Sequence, residues 1–285
     1  LFENNKYILQ NEYRKKYKNA SLITDFSLTR GYKSSTNNEK NSISHFFLNY
    51  NKDLEIPNFL NSKLEAKIEK VTNDTYLKVF QNNLFETPVM PADKDLMESK
   101  LHVELDNENF MFNSGMRIYE NLSGKNSDRF QYVLPYYEYI KDITNEDFIG
   151  SINFSSSGEN NLKNTNNLKT TIQNQLQYNS IDYIKKGLKN NFGIYFKNNN
   201  TIAKNDTVFS SSPQVDGFSL FDIVSSYPLS KKNSQTKEFL TPKISIRLNP
   251  GNNMKDHSDD SKIITANNAF NINRLGISDS YEAGK

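Results

Sequence analysis

Hydrophobic and polar residues alternate along most of this chain with a period of two. In "KISIRL", Ile244, Ile246 and Leu248 fall on one side of an extended backbone, and Lys243, Ser245 and Arg247 on the other. "LHVELD" sets Leu101, Val103 and Leu105 against His102, Glu104 and Asp106. "ASLITDFSL" sets Ala20, Leu22, Phe26 and Leu28 against Ser21, Asp25 and Ser27. "LKTTIQNQLQY" repeats the device with Leu168, Ile172, Leu176 and Tyr178, and "FGIYF" with Phe192, Ile194 and Phe196. Successive side chains of a strand point to opposite faces, so the pattern predicts a sheet with one apolar and one polar face. Roughly a dozen such segments, parted by Asn, Ser, Gly and Asp clusters that favour turns, predict an all-β antiparallel fold. Two stretches fit a helix as well as a strand: "NFLNSKLEAKIEKV", with Leu60, Leu64, Ile68 and Val71, and "SIDYIKKGLKNN".

Periodicity alone does not say which face meets water. A soluble β-sandwich and a membrane β-barrel both alternate. Two features favour the barrel. Segments such as "KYILQNEYRKKYK" and "FMFNSGMRIYE" exceed the five or six residues of an ordinary strand and match the 9 to 11 that cross a bilayer. Tyr and Phe gather at segment ends, as in Tyr136, Tyr137, Tyr139 and Tyr50, which is where aromatic girdles of membrane barrels lie.

Composition narrows the choice. Of 285 residues, 35% are hydrophobic and 12% aromatic, with 19 Phe, 16 Tyr and no Trp. A disordered polar chain would be poorer in aromatics. Mean hydropathy is -0.75. No run approaches the 18 or so apolar residues of a membrane helix, but barrel strands escape such averages. The net charge of +2 disfavours a nucleic-acid partner, and the absence of cysteine removes disulfides and thiolate chemistry. "LFENNKYILQ" opens without Met or a signal-like apolar core, and "NINRLGISDSYEAGK" begins a strand pattern that nothing follows. The expectation is a segment of a longer protein that, isolated with open sheet edges, aggregates in water.

Candidate chemistry is sparse. The histidines are His45, His102 and His257, none at metal-ligand spacing from another. Phosphate loops, dinucleotide fingerprints and serine-hydrolase elbows are missing, so the chain reads as non-enzymatic and no cofactor is expected. "MKDHSDDSK" gathers Asp256, His257, Asp259 and Asp260 without the spacing or turn glycine of a calcium loop. If the sheet closes with its apolar face outward, Lys243, Ser245, Arg247, Glu104, Asp106 and Arg117 line a wet lumen. Ile244, Ile246, Leu248, Leu101, Val103 and Leu105 then face lipid. A register slip of one residue would invert both sets.

The block "LTPKISIRLNPGNNMKDHSDDSKIITANNAFNINRLGISDSYEAGK" resembles the outer-membrane lipopolysaccharide-assembly (LptD) family. The positions that carry the likeness are Pro242, Pro250, Asn268, Phe270, Asn273, Arg274, Gly276, Asp279, Glu282 and Gly284. "SSYPL", "NDTYLKVF" and "ILQNEYRKKYKNASLITDFSL" look like further family landmarks. Gly276 stands earlier than in the commoner pattern, and Ser280 replaces a frequent Arg. The resemblance implies that residues 1–285 are part of a transmembrane β-barrel of the cell outer membrane, without the periplasmic jelly-roll domain and the remaining strands. It implies lipopolysaccharide as cargo, an LptE-type plug lipoprotein, an LptA-type periplasmic bridge and outer-membrane lipid as partners. A porin or receptor barrel, and a soluble extracellular sandwich that binds glycans, are the other readings.

Overall fold

The structure, a computed structural model, describes residues 2–3, 6–30, 32–33, 39–40, 43–125, 128–143, 149–164, 166–233 and 236–250. The family-like positions Asn268, Phe270, Asn273, Arg274, Gly276, Asp279, Glu282 and Gly284, and the acidic loop "MKDHSDDSK", lie outside the described residues.

The first half of the chain forms β1 (Phe2–Glu3), β2 (Lys6–Lys16), β3 (Ala20–Arg30), β4 (Tyr32–Lys33), β5 (Glu39–Lys40), β6 (Ile43–Asp53), β7 (Asn61–Val71), the short helix α1 (Tyr76–Phe80), β8 (Leu96–Asn107) and β9 (Phe110–Asn121). The second half forms β10 (Phe130–Ile143), β11 (Gly150–Lys163), β12 (Asn167–Ser180), β13 (Tyr183–Lys185), β14 (Leu188–Lys204), β15 (Gln214–Ser226), β16 (Leu229–Lys232), β17 (Lys237–Leu240) and β18 (Lys243–Leu248). One sheet of 14 strands runs in the order β1-β2-β3-β6-β7-β8-β9-β10-β11-β12-β14-β15-β18, with β13 added to β14. Its neighbours are therefore nearly all consecutive in sequence, an up-and-down meander. β1 and β18 end the order, and no pairing joins them among the described residues. The expected all-β antiparallel sheet is thus present, and among the described residues it is not closed.

The stretch "NSKLEAKIEKV" is strand β7 and not a helix, because its partners β6 and β8 hold it through Leu48↔Ile68 and Ala66↔Leu101. "SIDYIKKGLKNN" is a hairpin. Lys186 and Gly187, with φ of 51° and 83°, take the left-handed conformations that a two-residue hairpin turn demands.

The chain divides into two compact units, Leu1–Glu138 with Glu159–Thr170 and Ala203–Asp206, and Tyr139–Gly158 with Thr171–Ile202 and Thr207–Lys285. In the first unit the register lines up two faces. One carries the rows Gln10–Ser27–His45, Asn49–Lys67–Lys100–Arg117 and Asn51–Glu65–His102–Gly115. The other carries Leu22–Tyr50–Ala66–Leu101–Met116 and Thr24–Leu48–Ile68. The polar face is the covered one: Asp25, Ser27, Thr29 and His45 are buried, whereas Phe26, Leu28 and Phe46 on the other face are exposed.

The second unit repeats this inversion. Lys197 and Asp222 are buried at 2% and 6% exposure, while Ile194 and Phe196 next to Lys197 stand open at 49% and 45%. β15 departs from clean alternation, since Phe218 and Leu220 share the buried face with Asp222. Tyr178, Tyr183, Phe192 and Phe221 pack ring against ring, with centroids 5.8 to 6.3 Å apart. No helix among the described residues is long and apolar enough to cross a membrane, which says nothing of strands.

Candidate functional site: the polar face and the segment laid across it

Between β7 and β8, residues 72–95 fold over the polar face of the first unit instead of making a tight turn. Asn73 starts this segment. Its Oδ1 accepts hydrogen bonds from the Thr75 amide (3.0 Å) and hydroxyl (2.8 Å), setting the turn that leads into α1. Tyr76, Leu77 and Val89 then join Phe47, Val71, Met97 and Leu122 in a buried apolar cluster. The polar face thus has an apolar patch where the segment rests and is polar around it.

Buried polar bonds pin the segment down. The Tyr76 hydroxyl bonds to Ser27 and to His45 Nδ1 at 3.0 Å. His45 Nε2 lies 3.0 Å from Asp25 Oδ1, and Ser27 Oγ lies 3.1 Å from His45 Nδ1. The Thr87 hydroxyl donates to Asp25 Oδ2 at 2.7 Å. Gln10 donates to the same carboxylate at 3.0 Å. It also binds Phe85 on both sides, accepting from its amide at 2.8 Å and donating to its carbonyl at 3.0 Å. Every strong acceptor of the buried Asp25 carboxylate is used, which is what a charge removed from water requires.

Ser27, His45 and Asp25 stand in the order of a nucleophilic triad, and all three are buried. The His45 and Asp25 side chains have no exposed surface, and Ser27 Oγ is already held by the Tyr76 hydroxyl. With residues 72–95 in place, the bonds of this group to Tyr76 and Thr87 act as a clasp on that segment. Sequence reading did not assemble this group. Its one signal was that Asp25, Ser27 and His45 occupy the polar phase of their strands, and the partners Tyr76, Thr87 and Gln10 come from distant positions.

Burial pushes the Tyr76 phenol up from 10.0 to about 12; the Ser27 hydrogen bond opposes this shift and the Asp25 charge adds to it. A raised folded-state value contributes stability that is complete below pH 10 and is lost as pH climbs through about 12. The clasp is therefore expected to open between those limits. Phenolate absorbance should rise there in step with protease cleavage after Lys78, and Tyr76→Phe should remove that coincidence.

Ionic ties hold the rim. Arg129 reaches Asp74 (2.6 Å) and Glu120 (2.6 Å), and Glu120 also takes Lys70 at 2.7 Å. Lys78, followed by Ser123, holds the Asp95 carboxyl below its ordinary range. Where residues 72–95 leave the sheet, the β7–β8 ladder stops at Lys67↔Lys100. Side chains replace it: Glu69 accepts the Glu98 amide at 2.7 Å, and Ser99 Oγ accepts the Glu69 amide at 3.2 Å.

Beyond the segment, the polar face is a lattice of charges. Lys67 binds Glu69 (2.7 Å) and Glu98 (3.3 Å), Lys100 binds Glu65 (2.9 Å), and Glu104 accepts Asn61 at 2.6 Å. Of the residues singled out in the sequence, Glu104, Asp106 and Arg117 share this face with His102. Leu101 lies opposite, 45% exposed, with Val103 and Leu105 half-buried on its side.

In the second unit Ser245 and Arg247 converge on Asp222 at 2.7 and 3.3 Å, and Lys243 is exposed near the strand start. Ile244, Ile246 and Leu248 point away, at 69%, 56% and 58% exposure. Pro242 and Pro250 bracket β18. The two triplets thus belong to different units. No cluster of three or more metal-ligating side chains exists among the described residues.

No protein-family model matches this chain, and no curated protein does. Its function has to be read from the two faces.

Proposed function

We propose that this chain is a wall of a transmembrane β-barrel of the outer membrane, its apolar face toward lipid and its polar face toward the lumen. The observation that carries the reading is the inversion itself. In water, each large apolar side chain left exposed forgoes about 1.5–3 kcal/mol of burial; the first unit leaves Leu9, Phe26, Phe46, Leu101 and Met116 exposed, and the second Leu176, Ile194 and Phe196. A soluble sandwich turns such a face inward. Hydrocarbon removes the penalty, and strands of 11 to 17 residues such as β2, β3, β6 and β14 have the length to cross it.

Within that class we infer the finer role from the sequence resemblance: a non-enzymatic part of an LptD-type translocon that places lipopolysaccharide in the outer leaflet, with an LptE-type lipoprotein as plug and an LptA-type bridge supplying the cargo. The charged lattice of the polar face suits saccharide and phosphate moving past it, because it offers donors and acceptors of both signs. Expression of the full-length open reading frame behind a signal peptide tests this. The expected product sediments with outer membranes, shifts mobility on heating and co-purifies with a small lipoprotein. A soluble product overturns the barrel, and passive ion conductance with no lipoprotein bound overturns the translocon in favour of a porin.

A further inference from the structure

The cations on the polar face of the first unit are not all matched. Lys67 and Lys100 hold carboxylates. Arg117, the register partner of Lys100, makes no ion pair among the described residues. Its guanidinium lies 4.5 Å over the Tyr136 ring, with the Tyr119 and Tyr136 hydroxyls beside it, and its buried Nε has no hydrogen-bond partner. Four residues back on the same face of β9, roughly 13 Å along the strand, Asn113 Oδ1 is also buried without a partner.

Gly115 stands between them. A Cβ there would come 2.2 Å from the Leu101 carbonyl and 2.9 Å from the Tyr136 hydroxyl, so only glycine lets Tyr136 lie across the strand and bind His102 Nδ1 at 2.8 Å. The Tyr136 hydroxyl thus lies over Gly115, in the stretch between the Arg117 and Asn113 side chains.

Buried polar atoms in folded proteins are paired, and two orphans on one face call for an external partner. The Tyr119 and Tyr136 hydroxyls serve part of the guanidinium, and no carboxylate pairs with the Arg117 charge among the described residues. A guanidinium fork fits a phosphate or carboxylate, and an amide oxygen accepts from a hydroxyl. We propose that Arg117 and Asn113, framed by Tyr136, form a subsite for an anionic saccharide, the acid on Arg117 and a ring hydroxyl on Asn113. The choice of saccharide rests on the export reading above, whereas the anion site stands on the geometry alone.

Titration of the full chain in detergent micelles with trehalose 6-phosphate tests it, with trehalose and inorganic phosphate in parallel. Saturable binding of the sugar phosphate is expected, stronger than either control. Arg117→Gln should weaken it roughly ten- to a hundredfold, the range of a lost charge-assisted hydrogen bond, and Arg117→Lys should restore part of it. Asn113→Ala should weaken the sugar phosphate and leave inorganic phosphate unchanged. Equal affinity in Arg117→Gln, with an unaltered circular-dichroism spectrum, overturns the subsite. Inorganic phosphate binding as tightly as the sugar phosphate overturns the saccharide assignment. Retained binding by a protein that fails to enter outer membranes would sink the export reading and leave the subsite intact.

Discussion

Arginine at Leu101, Leu176 or Ile194 is expected to cost about 2–4 kcal/mol when the protein unfolds from a bilayer, the penalty of a cation on the lipid face near the midplane. All three are already open, at 45%, 43% and 49% exposure. In water a substitution at such a site changes stability by about 0.5 kcal/mol or less. The contrast makes the experiment decisive. The same substitution at Asn51, on the polar face of β6, should stay near neutral, because Asn51 is exposed and its row neighbours Ser21, Glu65 and His102 are polar. Urea unfolding from lipid vesicles, compared across the four variants, reads the difference. Equal small effects at all four positions would place the apolar face in water.

Asp25→Ala should be the most damaging single change on the polar face. The carboxylate is fully buried and accepts from His45, Thr87 and Gln10 together. Removing it strands three donors, and breaking a buried pair of this kind costs about 3–5 kcal/mol. The loss should concentrate in residues 72–95. Trypsin would then cut after Lys78 and Lys94 while the long strands remain protected. Asp25→Asn keeps the shape and two acceptor sites and is expected to lose less. Uniform unfolding of strands and segment together would show that the segment is core and not a cover.

Alternation made the strands and their faces legible. Leu101 against His102, Ile246 against Arg247 and Phe26 against Asp25 all separate as the period of two requires. What alternation could not show was closure, since a meander and a barrel share one local pattern. It also could not resolve "NSKLEAKIEKV", where Leu64 and Ile68 satisfy helix and strand alike until Leu48 and Leu101 pair beside them.

The clasp was hidden for a different reason. Gln10, Asp25, His45, Tyr76 and Thr87 meet only after β2, β3 and β6 align and residues 72–95 fold back, and no spacing in the sequence encodes that meeting. The burial of Phe218 and Leu220 is likewise a tertiary fact. "FSLFDIV" is apolar on both phases, so only its partner strand β14, with Lys197 opposite Phe218, assigns the faces.

These 285 residues hold no cysteine, so once any cysteine elsewhere in the full-length protein is replaced by serine the central claim can be measured directly. Single cysteines at Leu101, His102, Val103 and Glu104, in the full-length protein in lipid nanodiscs, would be challenged with a lipid-soluble and a water-soluble maleimide. The account predicts alternation: Leu101 and Val103 react from the lipid phase only, and His102 and Glu104 from water only. If Leu101 and Val103 are shielded from both reagents, or react freely from water, the apolar face does not meet a membrane and the barrel reading is wrong.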